Sequence, residues 1–107
     1  MENQFAKQRI INDIQNEDLK IQITGYIKDI GDENSFVLDD KSGQIPVKLK
    51  DMELKFDEED LINVIGELRI KTSGEKVIDA QIIQDMNKLN FKYYRKLYEL
   101  KKELLEK

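Results

Sequence analysis

The sequence predicts an all-β barrel followed by a long C-terminal α-helix. Three observations carry this. Two long apolar runs, Leu19 to Ile30 and Leu61 to Lys71, each alternate with a period of two and each hold one glycine near the middle. Between them Phe36 to Leu49 reads as a β-hairpin, two strand-forming arms around a polar turn. After Ile83 the spacing of apolar residues changes from two to about 3.6, the period of a helix.

Taken in order, residues 1–9 are polar, with Phe5 the one large apolar group, and are expected to form a loose arm or a short helical turn. The segment RIINDI, residues 9–14, places Ile10, Ile11 and Ile14 where a strap caps the core, and Asn16-Glu17-Asp18 turns the chain into the first long strand. In that strand Ile21, Ile23, Gly25 and Ile27 fall on one side and Gln22, Thr24, Tyr26 and Lys28 on the other. A glycine inside a strand costs stability and marks a bulge or sharp coil, which suits a strand that serves two parts of a curved sheet. Gly31 to Asn34 form a loop into the hairpin, whose turn uses Asp39, Asp40, Ser42 and Gly43 for side-chain hydrogen bonds and tolerance of positive φ. In its second arm Ile45, Val47 and Leu49 face the core, and Gln44, Pro46, Lys48 and Lys50 face outward. Proline cannot donate to a ladder, so this arm is expected at a sheet edge or a bulge.

Residues 51–60 are an irregular connector in which Met52, Leu54 and Phe56 cover one end of the core. Its carboxylate run, Asp57 to Asp60, lacks the glycine turn and ligand spacing of a calcium loop and reads as a solvated surface. The second glycine-bearing strand directs Ile62, Val64, Leu68 and Ile70 to one face around Gly66, and after a turn at Thr72 to Glu75 the last strand, Lys76 to Ile83, directs Ile78, Ala80 and Ile82 inward. The barrel with its strap thus occupies residues 1–83, and residues 84–107 form the helix. Met86, Tyr93, Leu97, Leu100 and Leu104 make a seam along it, and Leu89, Tyr94, Tyr98 and Leu105 widen that seam beyond what a solvated helix needs. A helix of about 20 residues spans roughly 30 Å and overhangs so small a barrel. Tyr93, Leu97, Leu100 and Leu104 are therefore expected to meet a partner helix, either of another protein or of a second copy.

Composition narrows the chemistry. A chain of 107 residues holds one domain and one core. It contains no cysteine and no histidine, which removes structural zinc, thiol catalysis, imidazole acid-base chemistry and disulfides. No acid and base stand together in a motif, so no catalysis, cofactor or obligatory metal is implied. There is no membrane-length apolar stretch and no secretory leader, and the expected location is the cytosol. The net charge of −4 is unevenly placed: residues 84–107 carry seven basic and four acidic groups, residues 1–83 eleven and eighteen. A basic tail follows an acidic body.

The order of strap, glycine-bearing strand, hairpin, connector, second glycine-bearing strand and final strand is that of an OB-fold, a five-stranded Greek-key barrel. The runs RIINDI, IQITGYI, FVLDDKSGQIPV, DLINVIGELRI and KVIDAQII resemble the OB domains of archaeal and eukaryotic replication protein A across residues 9–83, above all in the turn Asp40 to Ile45 and the pair Ile65-Gly66. With its helix the chain is most similar to the small subunits of that complex and to related telomere-capping subunits. The resemblance implies a non-catalytic role in single-stranded DNA handling during replication and repair, and assembly through a helical bundle; the sequence itself reveals no reader of the 2′-hydroxyl, which leaves RNA open as the strand. For an archaeal chain it places the protein at the nucleoid. Candidate nucleic-acid contacts are Tyr26, Lys28, Phe36, Lys48, Lys50, Arg69 and Lys71, most of them on the outer side of their strands, which offer charge to phosphates and two rings to bases. Phe36 reads equally as a core residue beside Leu38. The alternative function is an assembly subunit whose working surface is the helix, with little DNA binding of its own.

Overall fold

The protein is described by a computed structural model that covers residues 6–31 and 34–105; Phe5 in the first arm, Asp32 and Glu33 in the loop before the hairpin, and the last two residues lie outside the described part. Among the described residues six strands and one α-helix follow in order: β1 (Lys7–Gln8), β2 (Lys20–Lys28), β3 (Ser35–Asp39), β4 (Gln44–Leu49), β5 (Leu61–Ile70), β6 (Lys76–Asp85) and α1 (Phe91–Leu105). The sheet runs β1-β2-β3-β4-β6-β5, and β5 returns to pair with β2, so β2 to β6 close a five-stranded barrel. All pairings within it are antiparallel except β4 with β6, which is parallel.

Closure depends on β2 serving two neighbours. Lys20 to Tyr26 pair with β5, and Tyr26 to Lys28 pair with β3. Gly25 lies at this handover, where a β-carbon would stand 2.8 Å from the Asp39 carbonyl oxygen. Gly66 fills the corresponding role in β5, where a β-carbon would overlap the Asp79 carbonyl oxygen. Beside Gly66 the register of β6 advances by two residues while β5 advances by one, which makes Gln81 an extra, bulged residue. The bulge reverses the parity of the rest of β6. Ile78 and Ala80 are buried as the alternation predicts, but Ile82 is 49% exposed and Ile83 packs against the core in its place. Inside the barrel Ile21, Ile23, Ile27, Leu38, Val47 and Val64 are fully buried, each contributing about 1.5–3 kcal/mol relative to an exposed side chain.

Other expectations are modified by tertiary context. The polar pair Lys7–Gln8 forms a short strand parallel to β2, which no hydrophobic alternation announces. The strap continues as a 3-10 helix over Ile11–Asp13, with Ile10 buried and Ile11 and Ile14 against the core. In the hairpin turn Lys41, not Gly43, takes positive φ (72°). Gly43 instead sits close to the strap: a β-carbon there would lie 3.2 Å from the Ile11 methyl, which would have to shift by a few tenths of an ångström. The arm β4 is an edge only in its first half: it pairs with β3 along its length and with β6 through Val47 to Leu49, leaving Pro46 where β6 has no claim on an N–H.

The helix begins later than its apolar period suggests. Gln84 and Asp85 extend β6 by pairing with Asn63 and Ile62, and the Met86 N–H bonds the Leu61 carbonyl. The side-chain oxygen of Asn87 accepts from the Leu61 N–H, and that of Asn90 caps α1 by accepting from the Tyr93 N–H at 3.1 Å. Met86 and Leu89 therefore precede the helix, whose 15 residues span about 22 Å rather than 30 Å.

Candidate nucleic-acid and partner interfaces

The outer surface of β2, β3 and β4 is set by register. Tyr26 stands beside Asp39 and Gln44, Lys28 beside Val37 and Pro46, and Ser35 beside Lys48, which in turn neighbours Asp79 on β6. Lys28 and Lys48 thus share one face, with Val37 and Pro46 between them.

Most of the seven candidate contacts are already engaged. The Lys28 ammonium donates to both carboxylate oxygens of Glu59 at 2.9 Å. Arg69 makes a two-pronged bond to Asp79 at 2.8 and 2.9 Å, and this bond, opposed by burial and aided by the charges of Arg69, Lys50 and Lys48, holds the Asp79 carboxyl below its ordinary pKa. Lys71 pairs with Glu75 at 3.4 Å. Phe36 is only 2% exposed and belongs to the core, because β3 pairs Phe36 with Val47 on the inward side; it offers no face to a base. Tyr26 meets the edge of Phe91 with ring centroids 5.2 Å apart, and the Lys41 ammonium lies 5.3 Å from its ring centre. Lys48 and Lys50 are the two candidate cations that hold no ion pair among the described residues. Surface ion pairs are worth about 0–1 kcal/mol, so a phosphate can compete for Lys28, Arg69 and Lys71 only by displacing a carboxylate.

The helix divides into two faces. Phe91, Tyr94 and Tyr98 turn to the barrel: Phe91 stacks on Tyr94 and touches Tyr26, the Tyr94 hydroxyl accepts from Gln8 at 2.8 Å, and Tyr98 is 8% exposed. On the opposite face Tyr93, Leu97, Leu100 and Leu104 are 61%, 43%, 51% and 71% exposed. The helix is tied down by Arg95, which donates to the Asp40 carbonyl at 2.8 Å, and by Asp13, which accepts from the Tyr98 hydroxyl at 3.0 Å and the Lys102 ammonium at 2.8 Å. The contacts Phe91 and Lys41 were not among the sequence candidates. The spacing of Phe91, Tyr94 and Tyr98 by three and four residues is the signal that could have found the inner face.

The Asp13 contact has a definite pH signature. Burial works against its charge, but hydrogen bonds from Lys102 and Tyr98 and the charges of Lys102 and Arg9 outweigh it, and the carboxyl titrates below its ordinary value. Its contribution is therefore complete above the unfolded value of about 3.9 and is lost as pH falls through the lower folded value. The attachment of α1 is expected to hold from neutral pH down to about pH 4 and loosen below it. Hydrogen exchange of the α1 amides checks this, and Asp13→Asn is expected to remove most of the acid dependence.

A closed barrel of this strand order with a helix after its last strand is an OB-fold with a C-terminal helix. Among solved structures it is similar to a chain of the S. pombe Stn1–Ten1 complex, at 25% identity and a TM-score of 0.65, over 82% of this chain and 74% of that one. It is likewise similar to the telomere capping protein Ten1 from Saccharomyces pombe, at 18% identity and a TM-score of 0.71 over 92% and 99% of the two chains. A chain of a replication protein A heterotrimer bound to single-stranded DNA matches at 14% identity and a TM-score of 0.57, over 72% and 66%. No protein-family model and no curated protein matches the sequence. Among the described residues no helix is long and apolar enough to cross a membrane.

Proposed function

We propose that the chain is a non-catalytic OB-fold subunit of a complex that handles single-stranded DNA, and that it joins a protein partner through the outer face of α1. The observation that carries this reading is the exposed row Tyr93, Leu97, Leu100 and Leu104 on a helix whose other face is already packed. Spacings of four, three and four are those of a helix–helix seam. The likeness to a chain of the Stn1–Ten1 complex and to one of a replication protein A heterotrimer supports association as the working role. The test is association of the purified chain with its partner, reconstituted and followed by light scattering, which also reports pairing with a second copy. Leu97→Glu with Leu100→Glu is expected to weaken assembly at least tenfold, about 1.4 kcal/mol or more, without lowering Tm, because both side chains are solvent-exposed in the monomer. Unchanged assembly of this variant, or of a chain ending at residue 90, would refute the reading.

Direct DNA contact is a second reading, favoured by Lys48 and Lys50, which hold no ion pair among the described residues. Affinity for a thymidine oligonucleotide is expected to be low and to fall with salt, with a slope of about −0.7 per phosphate contacted. Lys48→Ala with Lys50→Ala is expected to reduce that slope by about 1.4 in magnitude. A slope unaffected by the double substitution would move any DNA contact away from β4.

A further inference from the structure

Beside the helix face assigned to assembly lies a cavity of about 380 Å³ between β1 and the end of α1. Lys7, Gln8 and Arg9 line one side, and Tyr98, Lys101, Lys102 and Leu105 line the other. Four of these seven residues are cations. Arg9 is matched by Asp18 at 2.9 and 3.0 Å, and Lys102 by Asp13 at 2.8 Å. Lys7 and Lys101 are exposed and hold no ion pair among the described residues. The rim thus retains two positive charges, while the walls are lysine stems, one edge of a tyrosine and an exposed leucine.

We propose that this cavity receives an extended acidic peptide of a partner protein, with carboxylates at Lys7 and Lys101 and an apolar side chain against Leu105 and the lysine stems. Charge complementarity selects an anionic occupant, and two further features select peptide over nucleic acid. The strand β1 pairs with β2 on one side only among the described residues, so its other edge can accept an extended backbone. The cavity also offers no ring for a base, since Tyr98 is 8% exposed and its hydroxyl is bound to Asp13. The surface differs from both the row Tyr93 to Leu104 and the Lys48–Lys50 face, so each can be tested separately.

The experiment is fluorescence anisotropy of the full chain with a labelled peptide of alternating aspartate and leucine, alongside the same peptide with asparagine for aspartate. The acidic peptide is expected to bind, and the asparagine peptide to bind about tenfold more weakly or worse. Lys7→Glu with Lys101→Glu is expected to cause a comparable loss at unchanged Tm, whereas Leu97→Glu with Leu100→Glu and Lys48→Ala with Lys50→Ala leave binding intact. Amide shifts confined to residues 7–9 and 98–105 would place the peptide. Equal binding of both peptides, no loss in the Lys7 and Lys101 variant, or stronger binding of a thymidine oligonucleotide at these lysines would each overturn the proposal.

Discussion

Gly66→Ala is expected to destabilise the chain by about 3 kcal/mol or more and to lower Tm by on the order of 10 °C or more. The added β-carbon would overlap the Asp79 carbonyl oxygen and approach the Asp79 carbonyl carbon and the Ile78 methyl at 2.9 Å. Two of these three atoms are backbone of the adjoining strand, so no side-chain rotation relieves them, and β5 and β6 must separate at the bulge. Typical domains are stable by only about 5–15 kcal/mol, which makes this a large fraction of the total. Gly74 provides the control: its φ is 93° but nothing lies within 4 Å of a β-carbon there, so alanine costs only the conformational strain of about 1–3 kcal/mol. Thermal melts of the two variants rank them. A Gly66→Ala protein that melts with the wild type would show that the strands do not approach this closely.

Phe36→Ala is expected to cost about 3–5 kcal/mol, the usual penalty for emptying a buried aromatic site. The ring lies in the barrel with Leu38, Val47 and Ile45, all 2% exposed or less. A ring that stacked on DNA would behave differently: its loss would remove about 1–3 kcal/mol of binding per base and leave stability unchanged. Urea unfolding and oligonucleotide titration of the same variant separate the two. Full stability with reduced DNA affinity would return Phe36 to the binding surface.

Local pattern revealed the barrel because its strands obey one rule, apolar residues inward at every second position. Ile21, Ile23 and Ile27, and again Ile45, Val47 and Leu49, are buried as that rule requires. The glycines were equally readable, since a strand pays for glycine only where something crowds it. The rule fails where a register slips: Gln81 shifts Ile82 outward and Ile83 inward, and no property of those two isoleucines distinguishes them beforehand. It fails again where pairing is imposed by neighbours, as for Lys7–Gln8 and for Gln84 and Asp85, polar residues that become strand because β2 and β5 offer them open edges.

The candidate site was less legible for the same physical reason. Whether a lysine or arginine is free depends on which carboxylate lies across the strand or loop from it. Glu59 is 31 residues from Lys28, and Asp79 is ten from Arg69. The outer row of α1, by contrast, is a property of one continuous segment, and its four residues are exposed together.

The bonds that hold α1 to the strap join residues 85 to 89 positions apart, Asp13 to Tyr98 and Lys102, and Gln8 to Tyr94 lies 86 apart. During synthesis the strap therefore emerges well before its helix partners. The barrel strands can pair while α1 is still inside the ribosome, but Asp13 stays without its two donors until Tyr98 and Lys102 have emerged. Docking of helix on strap is therefore expected to follow pairing of the barrel strands, and the cationic cavity exists only once the two have met.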